Sequence, residues 1–285
     1  MCGKHLIPYT QAEGGRAPAA PTKKKLRALL AAALSLTLAV SIAMAARQQL
    51  GDRARAASYE KAARRARLAP QEDWAVPAAQ GDDLPEDPAA EELAGIDLAA
   101  LQEVNPDVLG WICIPGTELS YPLLQGDDND FYLEHTWEKE PNSGGAIYMD
   151  IRCAPNFTCF NTILYGHRMR DGSMFATLKY YKDPEFWREH PSVYIALRSG
   201  VRVYDVFAAW EPKTASAVYA TDFDGAERRQ AFLDACMERS CLDTGVTPGP
   251  DDELLTLSTC TGRGHATRWV VQCRLAREYP GGGKQ

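Results

Sequence analysis

The chain has 285 residues, a net charge of −7 and a hydrophobic share of 45 %, which leaves room for one sizeable domain with extra segments, or for two small domains. The negative balance argues against a nucleic-acid binder that works by bulk charge. Eight cysteines, at positions 2, 113, 153, 159, 236, 241, 260 and 273, include no C-x-x-C pair. That argues against a zinc ribbon or a thioredoxin-type site, and a chain this long buries a core without a disulfide framework.

Charge is unevenly spread, with a basic first 70 residues and an acidic stretch over 71–92. Residues 28–46, "ALLAAALSLTLAVSIAMAA", carry no charge over 19 positions and follow "KKKLR". As a helix this run spans roughly 28 Å, enough for a bilayer core. It predicts a transmembrane anchor behind a cytoplasmic tail at 1–27, with a cleaved signal peptide as the alternative. Basic residues flank both ends, so the positive-inside rule does not settle orientation, although the tight block before the run favours a cytoplasmic N-terminus. Residues 47–69 are Ala-rich and read as helix. The following "PQEDWAVPAAQGDDLPEDPAAEE" is too poor in apolar residues to pack and reads as spacer. Together, 47–92 would form a stalk.

The texture changes at about Leu93. "LAGIDLAALQEVNPDVLGWICIPG" predicts an amphipathic helix ending near Asn105-Pro106, then a strand around Trp111 to Ile114. Short apolar or alternating runs follow: "AIYMD", "NTILYGH", "SVYIALRSG", "VRVYDVFAAW", "ELLTLSTC" and "RWVVQCRL". Six or more strands with few helices indicate a mainly β fold, an antiparallel sheet or barrel. "DPEFWREHP" predicts a short helix capped by Asp183 with Pro184 in its first turn. "GAERRQAFLDACMERSCL" predicts a longer one, with Phe232, Leu233, Cys236 and Met237 at helical spacing. The domain would run over 93–278, with a flexible tail at 279–285.

The segment "TLSTCTGRGHATRWVVQ" concentrates reactive side chains. Cys260 could be a nucleophile, a zinc ligand, half of a disulfide or a buried thiol. Alternation puts Thr256, Ser258 and Cys260 on one strand face and Leu255 and Leu257 on the other. In the next strand Cys273 shares the apolar face of Trp269, Val271 and Leu275, which marks it as structural. If the two strands pair around the loop 261–267, Cys260 and Arg268 sit at facing strand ends. A guanidinium there favours thiolate over thiol and could hold a polarised carbonyl oxygen. A cysteine nucleophile also needs a proton carrier, usually histidine. His5 falls in the tail, His190 ends the short helix as a surface or capping group, His135 has no obvious partner and His265 lies in the loop. His167 ends "NTILYGH" beside Gly166, which permits close approach, and is the best placed of the five, with a satisfied core histidine as the alternative. Zinc binding by Cys260, His265 and His167 lacks regular ligand spacing. Cys153 with Cys159, or Cys236 with Cys241, could form disulfides, although most thiols read as reduced and buried.

"TLSTC" ending in Cys260, Arg268 opening the next strand, and "NTILYGHRM" with His167 resemble the sortase family, class B. "GWICIPGT", "YPLLQGDDNDFYLEH", "GGAIYMD" and "MFATLKYYKDPEFW" extend the likeness over roughly residues 93–277. The resemblance implies a sortase-type β-barrel with a few flanking helices and a cysteine transpeptidase. Cys260 would attack the threonine carbonyl of a C-terminal sorting signal on a secreted protein, forming a thioacyl-enzyme. An amine, typically of a peptidoglycan precursor, would resolve it. His167 would serve as acid and then base, and Arg268 would hold the oxyanion. Ser258, Asn129, Leu133 and Tyr219 would line the substrate groove. No cofactor, metal or nucleic-acid partner is implied. Two departures stand out: Arg263 in the loop could compete with Arg268, and no acid in the loop can orient His167. Polymerisation of pilins and simple thiol peptidase activity are alternatives on the same site, and a catalytically silent wall-binding module is one without it.

Overall fold

The computed structural model describes residues 23–68, 86–261 and 266–281. Residues up to Leu50 and residues from Gly51 onward form two compact units. Helix α1 (Lys23–Arg65) is 43 residues long. Its N-terminal part is long and apolar enough to cross a membrane, and Leu29, Leu34, Leu38 and Ile42 are all exposed along it.

From Gly51 onward the chain folds around eight strands: β1 (Val108–Cys113), β2 (Ser120–Leu124), β3 (Ile147–Met149), β4 (Asn161–Tyr165), β5 (Ser192–Leu197), β6 (Gly200–Trp210), β7 (Leu254–Cys260) and β8 (Arg268–Pro280). They close a barrel in the order β1-β2-β3-β4-β7-β8-β6-β5. Each run read as a strand forms one. The strand β2 is not among those runs, and its Pro122 lacks the N–H a central strand needs. The strand tolerates it there because the β2–β3 ladder begins only at Leu123. Pairing is antiparallel except for β2–β3 and β4–β7, which are parallel. Trp111, Ile112, Leu123, Ile163, Leu257 and Val271 are fully buried in the main core, and Cys273 lies among them as its strand face implied.

The single helix expected before Asn105 is two: α2 (Pro88–Ala94) and α3 (Leu98–Gln102). The break follows from capping. Asp87 accepts from Ala90 N at 3.1 Å and Asp97 from Ala100 N at 2.9 Å, so each aspartate starts its own helix. Helix α2 begins inside the stretch read as spacer and buries Ala89, Ala90 and Leu93. Helix α4 (Pro184–Glu189) is capped by Asp183 as expected. Helix α5 (Ala226–Arg239) covers Phe160 and Phe207 with Phe232 and Leu233 in a second cluster.

The rest of the stretch read as stalk is not uniform either. Arg55, Tyr59 and Ala62 recur at helical spacing on α1, and these and Ala66, in the turn just past its end, are all buried. Tyr59 OH donates to Gly145 O at 2.8 Å, Trp137 Nε1 to Ser58 O at 3.0 Å, and Asn142 Nδ2 to Gly51 O at 3.1 Å. Arg55, only 2 % exposed, bonds Asp52 at 2.9 Å and pairs with Asp171. This turn-rich contact ties α1 to the loops 134–146 and 168–174. The part of the expected spacer over 70–85 lies outside the described residues.

Candidate active site

Two ladders meet at one end of the barrel. In the β7–β8 hairpin, Cys260 faces Arg268 across the last rung. In the parallel β4–β7 pair, Tyr165 lies beside Ser258. Two further residues along each strand lead to His167 and Cys260. The register holds past the strand ends, because Gly166 N donates to Ser258 O at 3.3 Å and Thr259 Oγ1 to Gly166 O at 2.8 Å. Gly166 is required here, since a Cβ would come within 2.8 Å of the Phe175 ring.

His167 and Cys260 are hydrogen-bonded through their side chains. That bond lowers the Cys260 thiol below its ordinary value; partial burial opposes the shift, and the Arg268 charge supports it. The same bond raises His167, against the opposing effect of burial. His167 Nε2 donates to Leu133 O at 2.8 Å. A carbonyl can only accept, so the proton sits on Nε2 and Nδ1 is the nitrogen with a free lone pair in the neutral ring. The group that orients the histidine is therefore a main-chain carbonyl on the 3-10 turn Phe131–Leu133.

Arg268 is fixed at the start of β8 by its backbone N, which donates to Pro212 O at 3.0 Å. A second guanidinium, Arg168, donates to Thr261 O and also favours the Cys260 thiolate. The sequence reading missed it, although it directly follows His167. The Leu133 carbonyl was illegible in the sequence, because Leu133 entered only as a groove side chain. Arg263 and His265 lie outside the described residues.

Below the cysteine, Ser258 Oγ and Tyr219 OH lie 3.0 Å apart. Tyr219 stacks on Tyr165 with centroids 6.3 Å apart. Tyr165 OH donates to Asp150 Oδ2 at 2.8 Å, and Arg152 Nη2 bonds both Asp150 at 2.6 Å and Tyr219 O at 3.1 Å. Asn129 turns inward: its Oδ1 accepts from Ile151 N at 2.9 Å and its carbonyl from Tyr148 OH at 3.0 Å. The side chain of Leu133 remains partly exposed. The other described histidines are engaged elsewhere. His190 Nδ1 donates to Pro115 O at 2.9 Å, and His135 Nδ1 donates to Phe131 O at 2.8 Å while stacking on that ring.

Chemically, the arrangement offers a sulfur nucleophile favoured as thiolate, a proton carrier in contact with it, and cationic donors beside it. The sortase domain family model matches residues 112–276. Sortase B of Listeria monocytogenes is 39 % identical over 183 residues, covering 63 % of this chain and 74 % of that protein. A Staphylococcus aureus sortase B–substrate complex superposes with a TM-score of 0.66 at 29 % identity, covering 80 % of this chain and 99 % of that one. Clostridium perfringens sortase B gives a TM-score of 0.60 at 29 % identity over 64 % of this chain and 100 % of that one. With the barrel, the matched residues and these relatives together, the chain belongs to the sortase family of transpeptidases, in its sortase B group.

Proposed function

We propose that this chain is a membrane-anchored transpeptidase that joins secreted proteins to a cell-wall amine, with Cys260, His167 and Arg268 as its reactive groups. The observation that carries the reading is the hydrogen-bonded Cys260–His167 pair beside the Arg268 guanidinium, at one end of a sortase B barrel. The Cys260 thiolate attacks the threonine carbonyl carbon of a sorting signal, and the oxyanion forms against Arg268. As the tetrahedral species collapses, the C–N bond breaks and the leaving amine takes the proton from the His167 imidazolium. A thioacyl-enzyme remains. An amine of a peptidoglycan precursor attacks it, the neutral imidazole takes up the amine proton, and the thiolate leaves.

The groove along Ser258, Tyr219, Asn129 and Leu133 receives the signal peptide. Ser258 and Tyr219 present paired hydroxyls, and Leu133 contributes its side chain, since its carbonyl is occupied by His167. The apolar part of α1 spans the membrane with the N-terminus cytoplasmic, which puts the barrel outside, where secreted proteins and wall precursors meet it. Incubating the protein with peptides built on several sorting motifs, with and without an added amine, tests this reading. Amide product that grows with amine concentration and vanishes in Cys260→Ala is the expected result. Cleavage insensitive to amine would reduce the protein to a thiol peptidase, and no cleavage of any motif would leave a binding module.

A further inference from the structure

The loop between β3 and β4 holds two cysteines that the transfer reaction does not use. Ala154 O accepts from Phe157 N at 2.9 Å, so the chain reverses between Cys153 and Cys159. The reversal folds Cys159 back onto the chain beside Cys153. Cys159 Sγ accepts from Ala154 N at 3.1 Å, on the residue next to Cys153. Cys153 is buried, with its sulfur 3.5 Å from Ile163 N and 3.8 Å from Asn161 O on β4, whereas Cys159 is partly exposed. The turn itself is rigidly built. Phe157 takes a left-handed backbone with φ of 61° and is fully buried, and Arg202 donates to its carbonyl at 3.3 Å. The same loop starts with Asp150 and Arg152, which hold Tyr165 and the Tyr219 carbonyl at the groove wall.

We propose that Cys153 and Cys159 are a redox couple whose disulfide staples this loop and, through Asp150 and Arg152, the groove wall. The geometry needed is local: two cysteines folded back beside each other, one of them partly open to an oxidant, on a turn that other contacts hold in shape. The oxidant is a low-molecular-weight disulfide. The Cys159 thiolate attacks one of its sulfurs and expels a thiolate, which takes up a proton. Cys153 then loses its proton to solvent and attacks the Cys159 sulfur of the mixed disulfide, which expels the second thiolate. Two cysteine thiols are oxidised and one small disulfide is reduced to two thiols. Burial pushes the Cys153 thiol up to about 12, so the second step is the slow one. The site does not depend on the transfer reaction; only its meeting with oxidant rests on the barrel lying outside the membrane.

The test uses the full chain in detergent as Cys260→Ala, so the outcome is independent of transpeptidation. The protein is equilibrated with glutathione disulfide, alkylated, digested and mapped by mass. The expected result is a peptide pair joined through Cys153 and Cys159 with the loss of two hydrogens. The thermal midpoint should rise by about 5 °C over the reduced protein, as closing a short loop does. Adding Cys159→Ser should abolish that rise. Full alkylation of both cysteines after oxidation, glutathione retained on Cys159, or a linkage that leaves the midpoint unchanged would each overturn the proposal.

Discussion

At the scale of single residues, the contact between Cys260 and His167 sets the pH behaviour. The bond lowers the thiol and raises the imidazole, so both shifts enlarge the fraction of the pair present as thiolate and imidazolium. Below the Cys260 value the nucleophile is protonated, and above the His167 value the leaving amine lacks its proton donor. Transfer should therefore show a bell-shaped profile. Iodoacetamide alkylation of Cys260 followed against pH should give a midpoint below the ordinary thiol value of 9.0. His167→Ala should move that midpoint upward, and an unmoved midpoint would show that the imidazole does not favour the thiolate. Arg268 acts on charge that develops during the reaction. Arg268→Ala should lower kcat roughly a hundred- to a thousand-fold, with a smaller effect on KM. Asp150 matters in a different way. Burial would raise its carboxyl, but hydrogen bonds from Arg152 and Tyr165 outweigh it and hold the group at about 2, against an ordinary 3.8. Its folded value is lowered, so its contribution of roughly 2 kcal/mol is present above pH 3.8 and fades as pH falls toward 2. Urea titrations should accordingly show the gap between wild type and Asp150→Asn closing over that window.

At the scale of elements, what was legible depended on how far apart the partners lie in the chain. The β7–β8 hairpin could be read from alternation, because both strands and their loop fall within one stretch, and Cys260 faces Arg268 as that pattern implies. The parallel β4–β7 pairing could not, because the rung that sets His167 beside Cys260 joins strands nearly a hundred residues apart and leaves no local period. His167 was singled out instead by its place at a strand end next to glycine. Helix α1 hid its packing for another reason: the buried row includes Arg55, a residue that reads as solvated. Arg55 joins α1 to Asp171, four residues beyond His167, and Tyr59 joins it to Gly145. Arg55→Met should cost roughly 1–3 kcal/mol in urea denaturation. The loss stays below that of a wholly buried pair, because Asp171 is 39 % exposed and can take up water.

At the scale of the molecule, the division at Leu50 and Gly51 makes two truncations informative. A chain starting at Gly51 keeps every described contact of Arg55, Tyr59 and Ser58 and should melt at the temperature of the full chain. One starting at Glu86 loses them and should melt several degrees lower. Only the full chain should sediment with phospholipid vesicles, because the exposed leucines of α1 precede Gly51.

The bond from His167 to Leu133 has a genetic consequence. Where a carboxylate steers a catalytic imidazole, one codon can erase the steering group. Here it is a peptide carbonyl, which every amino acid at position 133 supplies. Point substitutions at that position can alter the groove but leave the tautomer intact. Insertions or deletions between Gly126 and Gly145 shift the carbonyl itself. Divergence in this loop is thus expected to run through residue identity, with its length held fixed.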